Sequence, residues 1–312
     1  MTDVLCFGNL QLDVLCSTIT TLPPPGELHN IDAISFSLSG NGGNVAAVLG
    51  RLGLTVELAG YSGADIIGEQ FRATLSELRV DITNLLRHPT ASTGTSIITL
   101  SADGERSVFF VNGANALFDL NTVPDEWLQD KRVISMSSLF VLPQFSGEAV
   151  GALFARAHAF DAATTLNICS DTQKQGLSFL QPALAETDFF ILNAHEGWQL
   201  TGKRRPADIL AHLAPYTHGT IIVTLGEEGC CWLDGNKLYS LPALPVKATD
   251  CTGAGDAFVA GFIAGIVSGE SVYASATLGC QVSAFAVTGP GAYQRTPSLS
   301  TLTRTMPGME RK

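Results

Sequence analysis

The residues best placed to do chemistry are Asp250-Cys251-Thr252-Gly253-Ala254-Gly255-Asp256, followed at once by the apolar run Ala257-Phe258-Val259-Ala260-Gly261-Phe262-Ile263. Two carboxylates bracket small residues that open a helix. The first backbone N–H groups of a helix have no partner inside it and carry partial positive charge. With no bulky side chain in the way, those groups can close on an anion such as a phosphate in transfer. Asp256 falls in the first turn, where an ionised carboxylate is favoured. There it could take a proton from a hydroxyl brought beside that phosphate. The plain alternative is a helix start with an ordinary N-cap, since short glycine patterns recur by chance.

Other segments offer similar chemistry. Asp13 follows the apolar strand Val4-Leu5-Cys6-Phe7 and its Gly8-Asn9-Leu10-Gln11-Leu12 exit. The carboxyl end of such a strand is where open α/β sheets bind ligands, and a carboxylate there suits sugar hydroxyls; the alternative is a turn or strand-edge residue. Ser39-Gly40-Asn41-Gly42-Gly43-Asn44 packs three glycines and two asparagines between a strand and a helix. A backbone that bare lets a ligand approach closely, and the amides both donate and accept. His195, with no second histidine four residues on, reads as a surface or packing residue rather than a metal ligand. Arg106 is either a solvated strand-end charge or a group reaching an anionic part of a ligand.

These residues need elements to hold them, and the pattern supplies an α/β frame. The spacing predicts strands over Asp3–Gly8, Ile31–Leu38 and Thr55–Tyr61, with helices over Val45–Leu52 and Asp65–Leu78. Gly94–Leu100 and Ser107–Val111 flank an Asp-Gly turn, a strong hairpin signal. With Ile31–Leu38 this hairpin predicts a small sheet apart from the main one. Beyond it, strands Val133–Ser137, Thr165–Cys169, Asp188–Leu192 and Thr220–Leu225 alternate with helices Gly147–Phe160, Phe179–Ala185, Glu196–Leu200 and Ile209–Ala214. That alternation implies a mostly parallel, doubly wound sheet with helices on both faces. A second hairpin, Gly229–Leu233 and Lys237–Leu241, and two Ala-rich helices, Ala254–Val267 and Tyr273–Val287, complete the chain. The tail after Pro297 reads as polar and loosely ordered.

Composition sets the outer bounds. The 312 residues are 46% hydrophobic and 15% charged, enough apolar material for one large core. A net charge of −11 argues against nucleic acid or an acidic membrane as partner, but not against a nucleotide held by backbone N–H groups and a metal. The 7 cysteines are scattered and form no CxxC pair, so the expectation is reduced thiols in a cytoplasmic protein. Neither a signal peptide nor a membrane span is expected.

Four segments together carry a resemblance. Asp250–Asp256, Gly40-Asn41-Gly42-Gly43-Asn44, Asn193-Ala194-His195-Glu196 and Thr224-Leu225-Gly226-Glu227-Glu228-Gly229 stand in the order and spacing of ribokinase/PfkB-type carbohydrate kinases. The chain resembles that family from Gly8 to about Ala292. The resemblance implies a ribokinase-like α/β fold over 1–312, with a small β-sheet lid built from about 11–40 and 94–115. It implies ATP- and Mg²⁺-dependent phosphorylation of a hydroxymethyl group. By that analogy Asp256 is the base, and the N–H groups of Gly253, Ala254 and Gly255 form an anion hole. Gln11, Asp13, Gly40, Asn41, Gly42, Asn44 and Arg106 would meet the substrate. Asn193, Thr224, Gly226 and Gly229 would serve ATP, with Glu196 holding magnesium through water and Asp250 beside a K⁺ site. The lid would also serve as a homodimer interface. Gln11 and Asn41 stand where ribokinases carry Asn and Lys, and Arg295 where they carry Ser. A nucleoside kinase needs a wider, aromatic lid pocket, for which Phe36, Phe109 and Phe110 are candidates. A non-catalytic sugar- or nucleotide-binding regulator on the same scaffold would have no need of Asp256, Asn193 and Glu196 together. A dehydrogenase would want a Gly-x-Gly-x-x-Gly directly after the first strand, which Gly8-Asn9-Leu10-Gln11 does not supply.

Overall fold

Val4-Leu5-Cys6-Phe7 carries no polar side chain, so a strand made of it must be covered on both faces. In the computed structural model it lies inside a 10-stranded sheet. The structure describes residues 2–305 except 18, 20, 102–105, 170 and 236, without the side chains of 106 and 303–305. The first half of the chain runs β1 (Thr2–Phe7), β2 (Gln11–Cys16), β3 (Ile34–Ser39), α1 (Asn41–Leu52), β4 (Val56–Gly63), α2 (Ile66–Glu77), β5 (Val80–Asp81), β6 (Leu85–His88), β7 (Gly94–Leu100) and β8 (Arg106–Val111). Then come α3 (Asp125–Leu128), β9 (Lys131–Ser137), α4 (Gly147–His158), β10 (Ala163–Asn167), α5 (Gly176–Ala185), β11 (Phe189–Asn193), α6 (Ala194–Thr201), α7 (Pro206–Leu213) and β12 (Thr220–Thr224). The chain ends with β13 (Cys230–Asp234), β14 (Lys237–Leu241), α8 (Ala254–Val267), α9 (Val272–Ala286) and α10 (Leu299–Thr305).

The main sheet has the order β14-β13-β12-β11-β10-β9-β1-β4-β5, with β6 also on β4. It is parallel from β12 to β5, and β13 and β14 close one edge as an antiparallel hairpin. Helices α1, α2, α8, α9 and α10 cover one face and α3, α4, α5 and α7 the other, each face with its own apolar core. α8 is apolar all round because it is buried all round. A Cβ on its Gly261 would stand 2.8 Å from Gly279 Cα of α9, so only glycine lets the two helices approach this closely.

The small sheet, β3-β2-β7-β8, stands apart as expected. Its register sorts its side chains by face. Val14 lies level with Phe36 and Ile97, and Ile97 with Phe109. This apolar face is open, with Phe36 70% and Phe109 59% exposed. Asp13 lies level with Ser37 and Ser96 on the other face, and the Ser96 hydroxyl donates to the Asp13 carboxylate. Phe110, level with Ser96, shares that second face. The Asp-Gly turn at 103–104 that joins β7 to β8 lies outside the described residues.

Two expectations need correction. The described part of the segment after Pro297 is not loose: α10 forms over Leu299–Thr305, and Leu302 is buried in the core beside α1, α8 and α9; residues 306–312 lie outside the described residues. The helix opens at Ser298, whose carbonyl accepts from the N–H groups of Thr301 and Leu302. The glycine-rich segment is not a loop before a helix beginning at Val45, because α1 begins at Asn41. Tertiary contact overrides the low helix propensity of Gly42 and Gly43. Docking of α10 yields a prediction. Leu302→Ala should lower stability by about 2–4 kcal/mol in urea melts, the cost of emptying a buried leucine site. A loss under about 0.5 kcal/mol would show that the helix contributes nothing.

Candidate active site

A polar residue ends or follows each central parallel strand: Asn9 after β1, Ser138 after β9, Asn167 on β10, Asn193 on β11 and Thr224 on β12. Parallel strands bring these five to one edge of the sheet, the carboxyl edge, where open α/β sheets take ligands. The N-termini of α1 and α8 point to the same edge and bring Asn41, Asn44 and Asp256.

Close packing fixes α1 there. A Cβ on Gly42 would stand 2.6 Å from Gly8 Cα, and one on Gly40 2.5 Å from the Asn9 carbonyl oxygen. Gly40 also has φ 92°, a conformation glycine alone adopts readily. Gly40 has no side chain to cap α1, and Asn9 takes over: its Oδ1 accepts from the Asn41 N–H at 2.9 Å. The first turn of α1 then delivers two amides to Asp256. Asn41 Nδ2 donates to Asp256 Oδ1 at 2.9 Å and Asn44 Nδ2 to Oδ2 at 2.8 Å. The far end of the Asn41 amide, Oδ1, accepts from the Ser138 hydroxyl at 2.8 Å.

Asp256 is buried in the first turn of α8, and this alters one expectation. Its helix position favours the ionised form, but burial outweighs it and pushes the carboxyl up to about 6, against the opposing bonds from Asn44 and Asn41. Asp13 adds to the upward push, which places that carboxylate within electrostatic reach of Asp256.

The loop before α8 is shaped by Gly253, whose φ of 73° is left-handed and whose Cβ would stand 2.3 Å from Ala292 Cβ. A Cβ on Gly255 would meet nothing within 4 Å, because that residue borders open space. The Ala254 N–H donates to the Cys251 carbonyl at 3.2 Å. Of the three expected anion-hole donors, the Ala254 N–H therefore has a partner within its own turn. Asp250 ties the loop down, accepting from Thr252 N–H at 2.9 Å and Gly291 N–H at 3.2 Å.

Two cavities meet at this turn. The larger, 690 Å³, is lined by Thr224, Gly226, Gly229, the apolar stretch 243–246, Phe258 and Val287, along with Cys251, Ala254 and Gly255. The smaller, 210 Å³, holds Asp256, Asn41, Asn167, Asn193 and Glu196, and shares Thr224, Cys251, Ala254 and Gly255 with the first. Asn193 and Glu196 form a capping box on α6, each side chain accepting from the other's backbone N–H at 2.9 Å. That bond uses Glu196 Oε2 and leaves Oε1 for another partner. Burial pushes the Glu196 carboxyl up to about 7, helped by the charge of Asp256.

Gln11 is buried on β2, and its Nε2 has no hydrogen-bond partner among the described residues. The Arg106 side chain lies outside the described residues. His195 is exposed against the Trp198 ring, a packing contact as expected, and no cluster of three metal-ligating side chains occurs among the described residues. Asn9, Ser138 and Asn167 belong to the site but were not singled out in the sequence. Their signal was position, one polar residue at the carboxyl end of each apolar strand. Ser138 also adopts φ 65°, a left-handed conformation that costs a non-glycine residue about 1 kcal/mol or more.

Known proteins resemble this chain over almost its whole length. A family model described as pfkB family carbohydrate kinase matches residues 1–299. A deoxyribokinase of Salmonella typhi is 26% identical over 304 residues, which span 95% of this chain and 96% of the relative. A ribokinase of Lactococcus lactis is 28% identical over 302 residues, 96% of this chain and 95% of that one. Among solved structures, an Arabidopsis thaliana ribokinase complexed with ribose and ATP matches with a TM-score of 0.86, covering 97% of this chain and 98% of that one. At 20% identity this last likeness is one of fold.

The buried carboxylates make stability depend on pH. Glu196 is raised in the folded state, so the folded chain holds its proton more tightly than the unfolded chain does. Its contribution is fully present at low pH and is lost as pH rises through about 7. Glutamine keeps the capping box without the charge. Glu196→Gln measured in EDTA should match the parent near pH 4 and exceed it by on the order of 2 kcal/mol at pH 8. A difference that does not change with pH would show that Glu196 is not a buried, ionising carboxylate.

Proposed function

We propose that this chain, which belongs to the pfkB family of carbohydrate kinases, transfers the γ-phosphoryl group of ATP to a hydroxymethyl group of a sugar. Family membership makes it a phosphotransferase acting on sugars or nucleosides. The observation that carries the finer reading is the meeting of two cavities on the first turn of α8, beside a buried carboxylate. In this reading 1–312 is one kinase domain, with lid segments about 11–40 and 94–115.

ATP lies in the larger cavity, its base among the apolar walls and its phosphates past Thr224, Gly226 and Gly229. The terminal phosphate rests on the N–H groups of Gly253 and Gly255, where no side chain blocks it. The sugar lies between the polar face of the lid and α1, held by Asp13, Gln11, Asn41, Asn44 and the bare backbone at Gly40 and Gly42. Asp256 accepts the hydroxyl proton as the hydroxyl oxygen bonds to phosphorus and the bond to the ADP oxygen breaks. Positioning and charge neutralisation supply the rate, with the N–H groups matched to the charge that develops.

Magnesium fits the smaller cavity. Glu196 is a buried carboxylate raised by burial, it keeps Oε1 available, and Asn193 stands beside it. The metal would neutralise charge on the phosphates. Potassium fits less well. The Arg295 side chain lies against Gly289 in the same loop, where it brings a competing positive charge. No step is assigned to potassium. The faces of the lid favour a sugar over a nucleoside, because Phe36 and Phe109 sit opposite Asp13 and only Phe110 shares its face. The apolar face is the proposed homodimer interface. No helix among the described residues is long and apolar enough to cross a membrane, and the proposed location is the cytoplasm, where ATP is held.

ADP release from Mg-ATP with ribose, 2-deoxyribose, fructose and adenosine tests the reading. Turnover with a sugar, lost by about 10²–10⁴ in Asp256→Asn, is expected. In the parent, kcat/KM should fall below about pH 6 as Asp256 takes its proton. Turnover that survives Asp256→Asn would remove the base assignment. For the lid, Phe109→Asp should turn a dimer into a monomer in sedimentation; a parent that is already monomeric would remove the interface.

A further inference from the structure

Three neutral side chains stand behind Asp256, and the proposed chemistry so far uses only one of them. Asn41 touches the carboxylate, and Asn9 and Ser138 touch Asn41. We propose that Ser138 and Asn9 are positioning residues for phosphoryl transfer, holding the Asn41 amide with its N–H₂ end, and not its C=O end, against Asp256. The proposal rests on the reading of Asp256 as the base.

The two ends of an amide have nearly the same shape, so its partners decide which way it faces. Asn9 Oδ1 accepts from the Asn41 backbone N–H, which anchors the residue at the start of α1. The Ser138 hydroxyl lies 2.8 Å from Asn41 Oδ1 and 2.9 Å from Asn9 Oδ1. It carries one hydrogen for these two oxygens. Asn9 Oδ1 already accepts the Asn41 N–H, whereas the Ser138 hydroxyl is the donor that reaches Asn41 Oδ1, so both oxygens are satisfied when the hydrogen sits on the shorter bond, to Asn41 Oδ1. That leaves Asn41 Nδ2 facing Asp256 Oδ1 at 2.9 Å. The reverse orientation would set a carbonyl oxygen against a carboxylate. Asn44 holds the other carboxylate oxygen at 2.8 Å, and Asp13 and Glu196 are the charged groups that bear on the site. With both amides in place the carboxylate is fixed in two directions.

Ser138 itself points the same way. It is fully buried at φ 65° and ψ 31°, a backbone that glycine adopts at less cost. What serine adds over glycine is the hydroxyl, and that hydroxyl lies on these two oxygens. Ser138→Gly therefore removes the hydroxyl while relaxing the backbone, and separates positioning from folding.

The test is Ser138→Gly, with Ser138→Ala beside it, assayed with Mg-ATP and ribose, 2-deoxyribose, fructose and adenosine. Both variants should lose about tenfold in kcat, the effect of one hydrogen bond in a charged network, with both KM values within about twofold. Ser138→Gly should melt no lower than the parent. In an Asn41→Ala background, Ser138→Gly should cost nothing further, because the amide it orients is gone. A readout without turnover is the Asn41 side-chain N–H₂ pair in ¹H–¹⁵N spectra, assigned by its loss in Asn41→Ala; it should shift in Ser138→Gly. Unchanged kcat, an equal loss in the Asn41→Ala background, or an unmoved Asn41 pair would each overturn the proposal. Dead Asp256→Asn with fully active Ser138→Gly sinks this proposal alone, whereas active Asp256→Asn sinks the base assignment beneath it.

Discussion

A carboxylate buried at the start of an apolar helix is the constraint on which the site depends. Asp256 is buried down to 5% exposure, so the protein must replace most of its hydration, and it does so from α1 through Asn41 and Asn44. That demand fixes where α1 begins and how closely it docks on the end of β1. The glycines at 8, 40 and 42 follow from it, since a side chain at any of them would push the amides away. It also fixes α8. Beyond its first turn the helix is buried in the core, and the close approach of α9 at Gly261 holds it in place.

The electrostatics explain how a chain of net charge −11 could hold a polyanion. Among the described residues the meeting point of the two cavities is built from backbone N–H groups, amides and hydroxyls, with carboxylates at its edge. Backbone dipoles hold phosphate without a basic surface. The raised carboxyls of Asp256 and Glu196 are the counterpart of that design: both cost stability when ionised in the absence of a ligand. Among the described residues neither carboxylate has a cationic partner, so ionising either one gains from a bound group that brings positive charge.

Much of this was legible in the sequence because the strongest signals are local. The bounds of α8 and β7 come out as read, since the local apolar and β-rich patterns decide them within a few residues. The small-sheet faces follow from strand alternation, which correctly sends Phe109 and Phe110 to opposite sides. What was not legible depends on distant partners. α1 starts at Asn41 because Asn9, 32 residues away, caps it. Ser138 enters the site through contacts with residues 129 and 97 positions off. The Ala254 N–H looks available in the motif and is spent on Cys251 once the turn is formed. α10 was missed for a simpler reason: two leucines in a polar tail are a weak pattern until a core waits to receive one of them.

A crystal structure with Mg²⁺ and a non-hydrolysable ATP analogue would test the central claim most directly. The adenine should lie among residues 243–246, Phe258 and Val287. The terminal phosphate should sit on the N–H groups of Gly253 and Gly255, on the side facing Asp256. A nucleotide bound elsewhere, or one whose phosphates point away from Asp256, would contradict it.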